Sequence, residues 1–194
     1  MFRRPIKGLI EVITGPMFSG KSEEIIKRIR INEYADIKTL VVKSSIDQRF
    51  SDDKIISRSG VEKITYSAKD GQELLSFWND SYDAIIIDEV QFFGLDLIPI
   101  IEDLAKKGKI IIVSGLDTDY KMQPFGIMPN LLAIADHVMK LVAVCLVCKE
   151  PASKSFRKST DLELTKLGDK DEYEARCRSC HVKGTKKREK LERT

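Results

Sequence analysis

The sequence predicts an α/β fold of the P-loop, RecA-like kind: a mostly parallel sheet with helices on both faces, followed by a small C-terminal zinc-containing domain with a long loop between its cysteine pairs. Three observations carry it. Gly15-Pro16-Met17-Phe18-Ser19-Gly20-Lys21-Ser22 satisfies the pattern G-x-x-x-x-G-K-[ST] at every position. Apolar strand-like runs alternate with helical spacing from residue 9 to residue 144. All four cysteines fall in two C-x-x-C pairs, Cys145 with Cys148 and Cys177 with Cys180.

Residues 9–13 form an apolar, β-branched run and read as a strand, and residues 22–32 bring Ile25, Ile26 and Ile29 onto one helical face. The glycine loop between them therefore joins a strand to a helix. Phosphate binding needs that order, because glycines let successive N–H groups turn inward and the helix N-terminus adds the positive end of its dipole. Lys21 would then reach the β- and γ-phosphates of ATP, and the Ser22 hydroxyl would coordinate Mg²⁺. Residues 39–43 read as the next buried strand, with the polar loop 44–50 at its carboxyl end. Ligands bind at such ends in open α/β sheets, so Asp47 and Arg49, with Gln48 between them, are site candidates. Residues 51–67 are a polar, glycine-containing excursion with a short strand at 62–66.

A helix at 72–78 leads into the apolar residues 84–87 and then Asp88-Glu89, a Walker B pattern. Its buried strand delivers Asp88 beside the phosphate loop, where it would hold Mg²⁺ directly or through water. Glu89, one residue on, is placed to act as a general base. Residues 95–107 carry a helical stripe of Leu97, Ile98, Ile101, Leu104 and Ala105, closed by Gly108 at the C′ position. Residues 110–114 are a further buried strand, 131–135 helix and 137–144 strand, with His137 read as packing.

At 194 residues, 42% hydrophobic and 32% charged, the chain can bury a substantial core. Its organisation is a nucleotide-binding domain over 1–144, a zinc-binding and lasso domain over 145–181 and a basic tail over 182–194. No apolar run approaches the roughly 18–20 residues of a membrane span, and no apolar stretch follows Arg3 and Arg4 as in a secretory signal. No membrane partner and a cytoplasmic location are the expectation. The tail carries a local charge of +4 in a chain of net charge +3, without an aromatic residue. It reads as a solvated, frayed terminus with no nucleic acid as its partner. Four thiolates in two such pairs match a tetrahedral structural Zn²⁺ site, with His181 beside Cys180 able in principle to substitute. Disulfides are the rival reading, disfavoured in a chain without a signal sequence. A redox pair would open a helix after a strand, which neither pair is expected to do.

Together these residues resemble the zinc-containing, cytosolic-type (type II) thymidine kinases. The phosphate loop, Ile87-Asp88-Glu89-Val90-Gln91-Phe92-Phe93, Gly115-Leu116-Asp117, Pro124-Phe125-Gly126 and the cysteine pairs carry the resemblance. It implies ATP-dependent phosphorylation of thymidine, and of deoxyuridine, at the 5′-hydroxyl. It also implies Glu89 as catalytic base, Arg49 of Asp47-Gln48-Arg49 stabilising developing charge, and Asp88, Glu89, Val90 and Gln91 as a second nucleotide-contacting string. Loop 149–176, pinned by zinc, would close over the thymine ring through Leu164, Thr165, Lys166, Leu167, Gly168 and Tyr173, with Ser155 near the ring methyl. Met17, Phe92, Tyr120 and Phe125 would complete the pocket wall. Tyr120 stands where the family usually has Phe, and Ser155 where Thr is common. A homotetramer and feedback inhibition by thymidine triphosphate are implied too. Two other readings compete: a P-loop ATPase with a structural zinc ribbon, which has no need of a tethered loop carrying Tyr173, and a zinc-ribbon nucleic-acid binder. The second expects a basic, aromatic surface, whereas the loop is mixed in charge, with Asp161, Glu163, Asp169, Asp171, Glu172 and Glu174.

Overall fold

A computed structural model describes residues 8–46, 54–56, 62–64, 66–159 and 171–191. In chain order these form β1 (Ile10–Thr14), α1 (Lys21–Tyr34), β2 (Thr39–Ser44), β3 (Lys54–Ile56), β4 (Glu62–Ile64), β5 (Tyr66–Ala68), α2 (Gly71–Phe77) and β6 (Ala84–Asp88). There follow α3 (Leu97–Lys106), β7 (Ile110–Gly115), α4 (Met128–Ile134), β8 (His137–Lys140), β9 (Ala143–Val144), β10 (Pro151–Ala152), β11 (Lys154–Arg157), β12 (Tyr173–Arg176) and α5 (Arg178–Leu191). The main sheet is six-stranded and parallel, in the order β5-β2-β6-β7-β1-β8.

Strand periodicity explains why both faces are covered. Ile13, Val41, Ile86 and Ile112 point to one face and receive Ile25, Ile26 and Ile29 of α1. Their neighbours Val12, Val42, Ile87 and Val113 point to the other, under Leu74 of α2, Leu97 and Ile101 of α3, and Met128 and Leu131 of α4. With period 2 and two covered faces, the central strands read as unbroken apolar runs. In register, Thr14 pairs with Gly115, Lys43 with Asp88 and Ile87 with Val113. The carboxyl ends of the strands thus share one edge, and β7 separates the phosphate-loop strand β1 from the Asp88 strand β6.

The single strand expected over 137–144 is two. β8 pairs parallel with β1, the Leu141 N–H donates to the Thr14 carbonyl at 2.7 Å, and the chain then leaves the sheet edge. β9 pairs antiparallel with β10 in a separate ribbon. Residues 137–144 contain no glycine, proline or other turn residue, so the sequence carries no mark of the exit. His137 is not packing: it is exposed, with Nδ1 3.2 Å from Oε1 of Glu11. Glu11 is buried and gripped by Arg28 through Nε at 3.1 Å and Nη2 at 2.8 Å. Burial opposes ionisation of Glu11, but these partners outweigh it and hold its carboxyl below the usual range.

The expected frayed tail is also helix as far as Leu191, and one of its cations, Arg188, is seated against the fold. Arg188 Nη1 donates to the carbonyls of Arg157 at 3.0 Å and Ser159 at 3.2 Å, and its guanidinium lies 5.6 Å from the Phe156 ring. Arg176 stacks on the same ring at 3.4 Å. Cys177 immediately precedes this helix and follows β12, so the second cysteine pair does open a helix after a strand.

Candidate active site

The phosphate loop follows the buried β1 and ends at Gly20, which caps α1 with φ +90°. Gly15 has φ +148°, and a Cβ there would lie 2.6 Å from the Leu141 carbonyl oxygen and 2.9 Å from Ser19 Oγ. Only glycine fits that approach. The Lys21 ammonium is buried and donates to the carbonyls of Gly15 at 3.2 Å and Pro16 at 3.0 Å. Among the described residues the Ser19 hydroxyl is buried with no hydrogen-bond partner. A cradle of this shape, with an ammonium inside and an orphaned hydroxyl on its wall, fits the phosphates of ATP. Ser22 stands half-buried on the first turn of α1.

Asp88 ends β6 buried, and its Oδ1 accepts from the Glu89 N–H at 2.9 Å. Burial, with the Glu89 charge beside it, pushes Asp88 up to about 7, against the pull of that N–H and of Lys21. A buried carboxylate whose cost of burial Lys21 only partly offsets fits the residue that would hold Mg²⁺. The shift also sets a pH dependence. A folded-state value above the ordinary one of about 3.9 means that ionised Asp88 destabilises the fold. This penalty is absent at pH below about 3.9, grows as pH rises, and is complete above about 7. In protein free of nucleotide and metal, Asp88→Asn is expected to raise the unfolding free energy by on the order of 2–4 kcal/mol at pH 8 and far less at pH 4. Urea midpoints at the two pH values check it; equal gains at both would remove the buried-carboxylate account.

Glu89 holds φ +52° and ψ +40°, a left-handed conformation that swings the chain off the strand into the short turn Val90–Phe92. Val90 turns its side chain wholly into the core. Gln91 Nε2 donates to Glu89 Oε2 at 2.5 Å, and Gln91 Oε1 accepts from the Leu116 N–H at 3.1 Å. Phe92 meets Phe125 edge to face, centroids 5.7 Å apart.

The expected nucleoside contacts and the Asp47-Gln48-Arg49 part of the nucleotide site split into two groups. Met17, Ser155, Phe92, Phe125, Tyr120 and Tyr173 lie within the described residues; Asp47, Gln48, Arg49 and Leu164 to Gly168 lie outside them. The Met17 N–H donates to Ser155 Oγ at 2.9 Å, so the phosphate loop is joined to β11. Sequence reading passed over Arg157, which is 1% exposed. Its guanidinium lies 3.8 Å over the Tyr120 ring and donates to the Tyr173 hydroxyl from Nε at 3.0 Å and Nη2 at 2.6 Å. The available signal was strand alternation, which puts Arg157 on the face of Ser155.

The four cysteine sulfurs lie within 4.8 Å of one another, and the Cys148 and Cys177 sulfurs are 3.7 Å apart. A zinc tetrahedron with bonds of about 2.3 Å has edges of about 3.8 Å, so the donor set fits zinc. Burial opposes ionisation of Cys145, yet backbone N–H groups of Cys148, Cys177 and Val147 outweigh it and lower this thiol. The hydrogen bond with Cys177 is the chief reason Cys180 is raised. The Leu146 N–H donates to the Ala175 carbonyl at 3.0 Å, tying one knuckle to the strand before the other. His181 is directed away from the sulfurs: its buried Nε2 donates to the Tyr120 carbonyl at 2.9 Å. It therefore couples α5 to the pocket wall instead of joining the metal ligands.

Residues 8–181 match the family model described as thymidine kinase. The thymidine kinase of Mycoplasma mobile is 55% identical over 184 residues, covering 95% of this chain and 92% of its own. That of Mesomycoplasma hyopneumoniae strain 7448 is 54% identical over 182 residues, covering 93% and 99%. That of Metamycoplasma arthritidis is 50% identical over 194 residues, covering 100% and 99%. Among solved structures, the flagellar accessory protein FlaH of Methanocaldococcus jannaschii overlaps 75% of this chain and 76% of its own, with a TM-score of 0.47 at 14% identity.

Proposed function

The chain belongs to the thymidine kinase family, and from that premise we propose how its residues carry out the reaction. It is a phosphotransferase acting on thymidine in nucleotide salvage, with ATP as donor. The observation that carries the assignment of roles is the convergence at one sheet edge. The phosphate cradle, Asp88 with Glu89, and an aromatic wall joined to the cradle through Met17 and Ser155 all meet there.

The loop amides and Lys21 bind the triphosphate and hold the γ-phosphoryl group in place. Ser22 and Asp88 would hold Mg²⁺, which when bound neutralises charge on the transferring group. Glu89 removes the proton from the 5′-hydroxyl of thymidine as its oxygen attacks phosphorus. Arg49 stabilises the charge that develops, and Asp47 and Gln48 complete that loop's part of the nucleotide site. Met17, Phe92, Tyr120 and Phe125 enclose the base, with Tyr120 and Tyr173 braced by Arg157. The loop carrying Leu164 to Gly168 closes over them and keeps water from replacing the sugar hydroxyl as acceptor. Cys145, Cys148, Cys177 and Cys180 hold one structural Zn²⁺ that pins this loop. The Ser155 hydroxyl already accepts from Met17, which makes it an anchor of the pocket floor as well as a neighbour of the ring methyl.

A nucleoside panel with ATP tests the reading. Thymidine and, more weakly, deoxyuridine are expected to yield 5′-monophosphates, purine nucleosides none. Nucleoside-independent ATP hydrolysis at the same rate would favour the ATPase alternative. No helix among the described residues is long and apolar enough to cross a membrane. A cytoplasmic location, a homotetramer and inhibition by thymidine triphosphate are further parts of the proposal. Light scattering at several protein concentrations and inhibition by the triphosphate competitive with thymidine check the last two.

A further inference from the structure

The Gly115-Leu116-Asp117 and Pro124-Phe125-Gly126 strings supply few groups to the reaction above, yet both close on one residue, the first on its side chain and the second on its backbone. Gln91 is 3% exposed. Its Nε2 donates to Oε2 of Glu89, and its Oε1 accepts from the Leu116 N–H at the end of β7. The surroundings have no space for a side chain at either glycine. A Cβ on Gly115 would lie 2.4 Å from Gln91 Oε1, and one on Gly126, where φ is +51°, would lie 2.0 Å from the Gln91 carbonyl oxygen. Asp117 is itself held. Its carboxylate pairs with Lys140 of β8 at 2.7 Å, and its carbonyl accepts from the Phe125 N–H at 3.2 Å. Lys140 pairs in register with Thr14, so this tie spans the strand that carries the phosphate loop.

Glu89 needs such support. A left-handed non-glycine residue persists only where its surroundings over-determine it, and a base must be aimed as well as present. The Gln91 amide provides the aim, with its oxygen and an N–H both engaged inside the chain.

We propose that Gln91 is a positioning residue for phosphoryl transfer. It holds the Glu89 carboxylate toward the acceptor hydroxyl, its side chain makes no contact with the nucleotide, and the two glycine strings are its socket. The inference rests on Glu89 being the base. It replaces the nucleotide-contacting role that family resemblance implies for the Gln91 side chain.

Two substitutions test it. Gln91→Glu keeps the length and the acceptor for the Leu116 N–H while replacing the donor to Glu89 with a second carboxylate; Gln91→Met removes both polar ends. Each is made alone and combined with Glu89→Gln, and turnover, both KM values and the equilibrium dissociation constant for ATP are measured. Each single substitution is expected to lower kcat by about 10–100-fold with ATP affinity changed less than about twofold. Neither is expected to lower the residual turnover of Glu89→Gln any further. Loss of ATP affinity by about tenfold or more in both backgrounds makes Gln91 a nucleotide contact and overturns the proposal. So does an undiminished kcat, or the same proportional fall when Glu89 is already replaced. If Glu89→Gln alone turns over normally, the base assignment has failed first, and the single-substitution comparison is no longer needed.

Discussion

Glu89→Gln is expected to lower turnover of thymidine by about 10²–10⁴-fold while ATP still binds. The substitution is nearly isosteric and removes the one property the reaction needs, an oxygen that can take a proton. The phosphate cradle does not depend on it: Gly15, Gly20 and Lys21 are placed by β1 and α1, and Lys21 is held by the carbonyls of Gly15 and Pro16. Glu89 instead follows β6, a strand separated from β1 by β7. The loss should therefore fall on kcat and leave the ATP dissociation constant near that of the unaltered enzyme. Rapid-quench turnover and equilibrium binding of ATP separate the two effects, and near-normal turnover by the variant removes Glu89 as base.

Cys145→Ser is expected to take the zinc content from about one per chain to near zero, because a tetrahedral structural site needs all four ligands. Cys145 is fully buried and packs with Ala143, Ala152 and Ala175, where β9, β10 and β12 meet. Phe18 of the phosphate loop packs against the same cluster. Loss of the metal thus loosens α5 and the base of the lasso, and through Phe18 and the Met17–Ser155 hydrogen bond it also reaches the phosphate loop. The KM for thymidine should rise by about tenfold or more, with a smaller change for ATP, since the pocket wall is displaced more than the cradle. Elemental analysis with steady-state kinetics checks this; a metal-free protein of full activity disposes of the tethered-lid account.

Much of the architecture could be read before any coordinates, because the relevant signals are local. Strands buried on both faces show as apolar runs, a phosphate loop needs glycines at fixed spacing, and cysteine pairs advertise themselves. What escaped depends on distant partners. His137 meets Glu11 across 126 residues, and nothing around either announces it. The chain leaves the sheet at Leu141 with no glycine, proline or other turn residue to mark the exit. The basic tail looks like a solvated end because its charge is local, while the seats for Arg188 lie on β11 and just beyond it. Arg157 was invisible for the converse reason: an arginine reads as surface until Tyr120 and Tyr173 are found around it.

The strand order bears on how the chain is born. β1 leaves the ribosome first of the named strands, yet its two neighbours are β7 and β8, with Ile10 opposite Ile111 and Glu11 opposite His137. The strand that carries the phosphate loop therefore has no edge to join until β7 has emerged as far as Gly115, and its second edge waits for Lys140. The phosphate-loop strand thus waits unpaired until roughly three-fifths of the chain has been synthesised.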